Sequence, residues 1–485
     1  MMTLLTILYG LCALLLAVYT LGHGMLLLQY LRHRNHKPSQ PQVHTLPTVT
    51  VQVPIYNERH VAIRLVQAIA CLDYPADKLC IQILDDSSDS TSALIAQHIR
   101  RYPNLEIVHI RRSNRVGYKA GALADGLSRT DSRYVAIFDA DFIPPRDFLQ
   151  RTIPFLEDDD SLGVVQTRWG HLNPDDNWLT RAQVLSIDTH FLIEQTGRNR
   201  SGWILPFNGT GGVWRTATIH DAGGWSDATL TEDLDLSFRA QIRGWHSLML
   251  PQIVVPGELP PQLAAYRQQQ ARWAKGSSQC LRRLIIPVWQ SDLKMTSKLI
   301  ATQHLAQYIP HVLMLLMLLL MPILLLSDAL YTLPLAPLGF IGLIPLLMYV
   351  VSQYDSSPHW RRRLLAFPAL LLIGTGMIWN NSRAVISGIF STHSEFRRTP
   401  KFVQAWTDSD YAIQVDSGIL VEFGLMIYAL WGIWIAWQTI PALIPYFLIH
   451  ALSFATVITW DAIDQWRIAR TPLIQANPTP ESAND

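Results

Sequence analysis

Residues 134–141 read YVAIFDAD. An unbroken apolar run of this length, closed by acidic residues, predicts a strand buried on both faces, Tyr134–Phe138, that ends at Asp139. On an extended segment Asp139 and Asp141 lie two apart and so share one face. Working outward, Thr48–Val53 (TVTVQV) is β-branched and bounded by Pro54, and residues 59–72 show helical periodicity. Cys80–Leu84 (CIQIL) predicts a second strand, ending in Asp85 and Asp86, followed by a helix over Ser88–Arg101. Leu105–Ile110 predicts a third strand and Ala120–Leu127 a third helix. Strands alternating with helices imply an α/β fold with a mostly parallel, Rossmann-like sheet and ligands at the carboxyl ends of the strands.

Composition sets the larger frame. Of 485 residues, 49% are hydrophobic and only 16% charged, too apolar for an ordinary soluble enzyme, where charged residues make up roughly a quarter. Thirty-nine Lys+Arg against thirty-eight Asp+Glu give +1, so no basic field points to nucleic acid. The four cysteines are scattered, which argues against a disulfide scaffold and a zinc module.

The apolar excess is local. Residues 1–31 carry no charged side chain and precede Arg32, Arg34 and Lys37, predicting a retained transmembrane anchor with its C-terminal end in the cytoplasm. A proline-containing linker (32–47) leads to a cytoplasmic α/β domain over 48–276, an interfacial helix region over 277–303 and transmembrane helices over 304–460. The crossings expected there are His304–Leu326, Pro334–Val351 and two within Gly418–Trp460. The run 364–390 begins behind Arg361, Arg362 and Arg363 and leads to Arg397, Arg398 and Lys401. Both flanks therefore want the cytoplasm, and the run is expected to be re-entrant or interfacial. Five crossings put the N-terminus outside and a tail over 461–485 in the cytoplasm. Arg361–Arg363 are read as topology determinants, and His190 and His246 as structural.

The chemistry rests on carboxylates. Asp139 and Asp141 offer hard oxygen ligands suited to Mg²⁺ or Mn²⁺ that also bridge to substrate phosphates. Thr231-Glu232-Asp233 opens a helical stretch, as a capping box would, or supplies a general base. Gln269-Gln270-Ala271-Arg272-Trp273 fits an interfacial amphipathic helix equally well. The sequence has no GxxxxGK[ST], no GxGxxG after the first strand and no GxSxG. P-loop, dinucleotide and serine-hydrolase chemistry are therefore unsupported.

In order along the chain, these features resemble the family 2 processive glycosyltransferases: cellulose, hyaluronan and chitin synthases, and the cellulose-synthase-like mannan and glucomannan synthases. That family is marked by D, D-x-D, T-E-D and Q-x-x-R-W, matched by Asp85/Asp86, Asp139/Asp141, Thr231-Glu232-Asp233 and Gln269/Arg272/Trp273. Val53–Glu58 (VPIYNE), Lys119–Leu123 (KAGAL) and Phe207–Thr210 (FNGT) also match. Phe396–Lys401 (FRRTPK) is similar to the gating loop, expected over 391–404 with Thr399 and Lys401 touching substrate, and its wording is nearest the mannan-synthase-like branch. The chain departs from bacterial cellulose synthases in lacking their extra N-terminal crossings and a following c-di-GMP-type domain.

The resemblance implies a GT-A type fold and a nucleotide-diphosphate sugar donor, with GDP-mannose, UDP-glucose and UDP-N-acetylglucosamine all open. It implies Mg²⁺ or Mn²⁺ on Asp139 and Asp141, Asp233 as general base, and Arg272 on the diphosphate. Trp273 and Gln269 would meet a growing polysaccharide. Tyr56, Glu58, Asp85 and Asp86 would lie near the nucleoside, Lys119 beside the diphosphate or ribose, and Phe207, Asn208, Gly209 and Thr210 on the acceptor side. The expected activity is inverting, processive β-glycan synthesis with translocation among membrane lipids, in a bacterial inner membrane. The alternatives are a non-processive transferase acting on a ceramide or diacylglycerol, and a non-catalytic channel.

Overall fold

In β1 (Val49–Ile55) every residue but Pro54 is buried, which is what a strand covered on both faces requires. The computed structural model, which describes residues 1–327, 329–333, 336–391 and 418–470, pairs β1 in parallel with β2 (Leu79–Asp85) on one side and β4 (Tyr134–Ile137) on the other. β2 in turn pairs in parallel with β3 (Glu106–Arg111). Pro54 is tolerated because β1 has outrun its β4 neighbour, whose last register pair is Gln52↔Ile137. The sheet continues through β5 (Leu162–His171), β6 (Gly212–Arg215) and β7 (His246–Gly257) in the order β3-β2-β1-β4-β6-β5-β7. β6 runs antiparallel to both neighbours, and β5 pairs with β7 in parallel. The result is the mostly parallel α/β sheet expected.

Side-chain alternation divides the core in two. Tyr134, Ala136 and Phe138 face one apolar layer with Val51, Val53 and Phe148. Val135 and Ile137 face the other, with Leu123, Trp214 and Leu236. β2 and β4 both run parallel to the β1 between them, so their acidic carboxyl ends emerge together at one edge of the sheet.

The expected domain boundary at 276 falls inside one continuous helix, Leu263–Gln290. No breaker interrupts it there, because Gly276 lets the helix lie against Thr231: a Cβ at 276 would approach the Thr231 side chain to 2.6 Å. The same helix thus serves the sheet domain and the apolar helices behind it.

Among the described residues, Met2–His33, Ile419–Gln438 and Pro441–Ala469 are long and apolar enough to cross a membrane. Two bent pairs raise the number to five if each counts as one span: Met295–Leu305 with Ile309–Leu325, bent 63°, and Trp360–Gly376 with Ile378–Phe390, bent 47°. The second bend lies in the run expected to be re-entrant. It turns at Gly376, where a Cβ would collide with Val457 at 2.5 Å. The crossing expected over 334–351 takes another form, as two short helices, Ala336–Ile341 and Leu343–Ser356. At 14 residues the longer covers roughly 21 Å of a ~30 Å hydrocarbon layer.

Arg363 has a role beyond flank charge. Its guanidinium lies 3.3 Å from Asp188 Oδ2, which also accepts from Gln353 Nε2 at 3.2 Å, while Asp188 Oδ1 meets His171 Nε2 at 3.0 Å. This cluster fastens the sheet domain to the Leu343–Ser356 helix.

Candidate active site

The edge where β2 and β4 end opens onto a cavity of about 450 Å³. Asp86, in the turn after β2, and Asp139 and Asp141, after β4, enter it from the sheet. Lys119 projects from the first turn of the helix Tyr118–Leu127, and Asp233 from that of Glu232–Ile242. Gln269, Arg272 and Trp273 reach in from the helix Leu263–Gln290. Tyr56 and Glu58, after β1, and Phe207, Asn208 and Gly209, before β6, line it too. The three acidic motifs and Q-x-x-R-W therefore converge on one space.

Lys119 is the hub of its charges. Its Nζ lies 2.6 Å from Asp139 Oδ1 and 3.5 Å from Glu232 Oε1, and donates to the Gly209 carbonyl at 3.0 Å. Burial opposes its charge, but Asp139 and Glu232 outweigh burial and hold the ammonium above the usual lysine range. Asp139 is shifted up by burial and by Asp141, against the pull of Lys119. Asp233 is pushed up to about 7, first by burial and then by neighbouring Glu232, although the Leu234 amide donates to its Oδ1 at 2.9 Å. Burial also lowers Arg272, which four carboxylates (Glu232, Asp139, Asp233 and Asp141) counter. Negative charge exceeds positive charge at this edge, and a carboxylate poised near neutrality is a proton acceptor by environment.

Among the described residues no three His, Cys, Asp or Glu side chains form a ready cation cage. Asp139 and Asp141 nevertheless fit a hard divalent ion held by few protein ligands and completed by phosphates and water.

Residues 47–276 match the family described as glycosyltransferase like family 2. That match covers just under half of the chain. Curated relatives align with about half of the chain. Glucomannan 4-beta-mannosyltransferase 2 of Arabidopsis thaliana is 44% identical over 248 residues, which is 50% of this chain and 46% of the relative. Probable glucomannan 4-beta-mannosyltransferase 3 of Oryza sativa subsp. japonica is 39% identical over 281 residues, 55% of this chain and 51% of the relative. The chain spans about half the length of the curated relatives it matches. Among solved structures, a mannosyltransferase from Pyrobaculum calidifontis in complex with GDP-Man and Mn²⁺ aligns over 79% of this chain and all of its own, with TM-score 0.56 and 20% identity. That likeness establishes the GT-A type fold.

Two residues expected near substrate lie away from the cavity. Asp85 is 1% exposed and turned from the cavity, because adjacent residues leaving a strand face opposite ways. It meets His109 Nε2 at 2.8 Å, and the Ser87 amide donates to it at 2.9 Å. Thr210 is fully buried and its hydroxyl accepts from the Asp139 amide at 2.9 Å, so it holds the D-x-D backbone in place. Thr399, Lys401 and the expected gating loop up to residue 404 lie outside the described residues. Thr231 makes no side-chain cap; its hydroxyl lies 3.4 Å from Cys280 Sγ.

Other residues lining the cavity carry no motif. His190, expected to be structural, lines the cavity and lies 3.0 Å from Asn208 Oδ1 and 3.1 Å from Glu194 Oε2. His190–Gln195 is a π-helical turn, a form that recurs at functional sites. Glu194 also meets Arg198 at 3.3 Å and His23 at 3.5 Å. Burial would raise its carboxyl, but hydrogen bonds from His190 and His23 hold it well below the usual range. Tyr19 and His23 come from the helix Met2–His33, Gln303 and His304 from Met295–Leu305, and Tyr349 from Leu343–Ser356. Tyr19 and His23, polar at i and i+4 inside an apolar span, were the available sequence signal.

Proposed function

We propose that this chain is a membrane-embedded, inverting β-glycosyltransferase that elongates a mannan or glucomannan from a nucleotide-diphosphate mannose and passes the product between its own helices. The observation that carries the reading is the cavity itself. One space holds Asp139, Asp141, Asp233, Arg272 and Trp273 at one end and takes further walls from Tyr19, His23, Gln303, His304 and Tyr349 on the apolar helices. The curated relatives are named for 4-beta-mannosyl transfer in glucomannan, which supports a mannosyl donor and a β-1,4 linkage.

Each side chain then has a task. Asp233, whose carboxyl is poised near neutrality, takes the proton from the acceptor hydroxyl. The freed oxygen attacks the anomeric carbon as the bond to the diphosphate oxygen breaks, so an α-linked donor gives a β-linked product. Arg272 offers its planar fork to the departing diphosphate. Lys119, paired with Asp139 in the same cavity, would offer its ammonium to the same phosphates. Trp273 and Gln269 present an aromatic face and an amide to the acceptor sugar. Mg²⁺ or Mn²⁺ held by Asp139 and Asp141 would supply charge neutralisation for the leaving diphosphate. Tyr56, Glu58 and Asp86 hold the nucleoside end, where the Arg115 guanidinium stacks 3.3 Å over the Tyr56 ring.

The test is a donor screen with UDP- and GDP-sugars and Mn²⁺ or Mg²⁺, following nucleotide release and sizing the product. A β-mannanase-sensitive polymer is expected. A product of one sugar extractable into organic solvent would replace the synthase with a lipid glycosyltransferase. No transfer from any donor would remove both.

A further inference from the structure

Arg267 is 7% exposed and lies outside the cavity, buried among the apolar helices. Its guanidinium grips Glu422 with both terminal nitrogens, at 2.6 and 2.9 Å, and Asp461 at 2.9 Å. Both carboxylates are completely buried. The Arg267 carbonyl accepts from Asn380 Nδ2 at 3.1 Å. One turn earlier, the Leu263 amide at the start of the same helix donates to Asp464 Oδ2 at 3.2 Å. The helices Ile378–Phe390, Ile419–Gln438 and Ile444–Arg470 therefore all hold the N-terminal end of Leu263–Gln290.

This is the helix that carries Gln269, Arg272 and Trp273. At roughly 100° per residue those three lie about 140–240° round the helix from Arg267. One face of a single helix thus presents the reactive side chains, and the opposite face is clamped by ions. A buried pair is weak evidence for stability, since apolar substitutes often do as well, but it specifies one geometry. Ionisable groups at such depth in apolar helices are expensive and point to function.

We propose that Arg267 is a positioning residue: its fork on Glu422 and Asp461 fixes the height and rotation at which the helix offers Arg272 and Trp273 to the reacting sugars. Displacement of that helix by an ångström would then cost turnover without touching the nucleoside end. The assignment of roles to Arg272 and Trp273 rests on the function proposed above; the clamp itself does not.

The experiment uses the full chain in detergent, as Arg267→Lys and as the charge swap Arg267→Glu with Glu422→Arg. Lysine keeps the charge and loses the two-pronged grip. In Arg267→Lys, amide hydrogen exchange over 266–275 should rise about tenfold while that of β1–β4 stays at the wild-type rate. In the active preparation kcat should fall about a hundredfold with donor KM within about threefold, and the swap should restore part of the loss. Wild-type exchange over 266–275 in a folded Arg267→Lys overturns the proposal whether or not a donor has been found. A uniform rise in exchange across the sheet overturns it too, because the residue would then serve general stability. Failure of every donor with a local exchange change sinks the proposed function and leaves the clamp standing.

Discussion

Gly209 leaves room for the Asp233 carboxylate and nothing more: a Cβ at 209 would lie 2.9 Å from Asp233 Oδ2 and 3.3 Å from Lys119 Nζ. Gly209 also has φ +80°, a left-handed conformation that side chains resist. Gly209→Ala should cost about 1–2 kcal/mol of stability from backbone strain alone. Because the methyl group displaces the proposed base and the ammonium beside it, kcat/KM should fall about a hundredfold or more. Thermal unfolding and initial rates on the same preparation separate the two effects; a folded alanine variant with wild-type turnover would remove Asp233 from the chemistry.

Asp233→Asn keeps an acceptor for the Leu234 amide and loses the base, so kcat should drop about 10²–10⁴-fold. The pH dependence follows from the raised carboxyl. Below about 7 the proton stays on Asp233 and the base is blocked, so wild-type kcat/KM should climb through that region, and the climb should be missing in the residual activity of the asparagine variant. Stability runs the other way. A carboxyl raised in the folded state is favourable below its ordinary value of 3.8 and becomes costly as pH rises through about 7. At pH 8 Asp233→Asn should therefore unfold at the same temperature as wild type or higher, an outcome calorimetry or fluorescence can read.

Removal of divalent ions should abolish transfer, and Asp139→Asn and Asp141→Asn should each raise the Mn²⁺ needed for half-maximal rate at least about tenfold. Nucleotide diphosphate should raise the wild-type unfolding temperature only when the ion is present. In Asp141→Asn that shift should shrink, whereas undiminished transfer in chelator would rule out metal at this edge.

The three strands whose ends reach the site were legible because each is a short apolar run with a proline or acidic residues at its end: Pro54 in β1, Asp85–Asp86 at β2, Asp139 after β4. Their helices fall within a few residues of the periodic stretches. The other half of the sheet was not. β6 has only four residues, Gly212–Arg215, too few for alternation to show. β7 contains Pro251 and Pro256 and slips register against β5 between Thr167 and Arg168, which an edge strand tolerates and a pattern search rejects. The carboxylates could be named from motifs, but no spacing states that Asp139, Asp233 and Arg272 meet, since that depends on β6 turning the chain back beside β4. The membrane-side wall was hidden for a different reason. Tyr19, His23 and Tyr349 sit in segments whose apolar composition says "span" and nothing about which face meets the sheet domain.

Asp85 and Asp86 are adjacent in sequence and opposite in consequence, which gives a test needing no knowledge of the product. Burial would raise the Asp85 carboxyl, but hydrogen bonds from His109, Ser92 and Ser87 outweigh it and hold the group at about 2. That depression stabilises the fold above the ordinary value of 3.8 and is lost as pH falls through about 2. Asp85→Asn should therefore cost about 2 kcal/mol at neutral pH, with donor KM unchanged. Asp86 faces the cavity and accepts from Arg112 Nε at 2.9 Å. Asp86→Asn should raise donor KM about tenfold, as expected when one charged hydrogen bond to a ligand is removed. Urea unfolding and donor titration on the pair would decide the matter. If Asp85→Asn raised KM while Asp86→Asn did not, the nucleoside end of the site would have to be placed on the other side of β2.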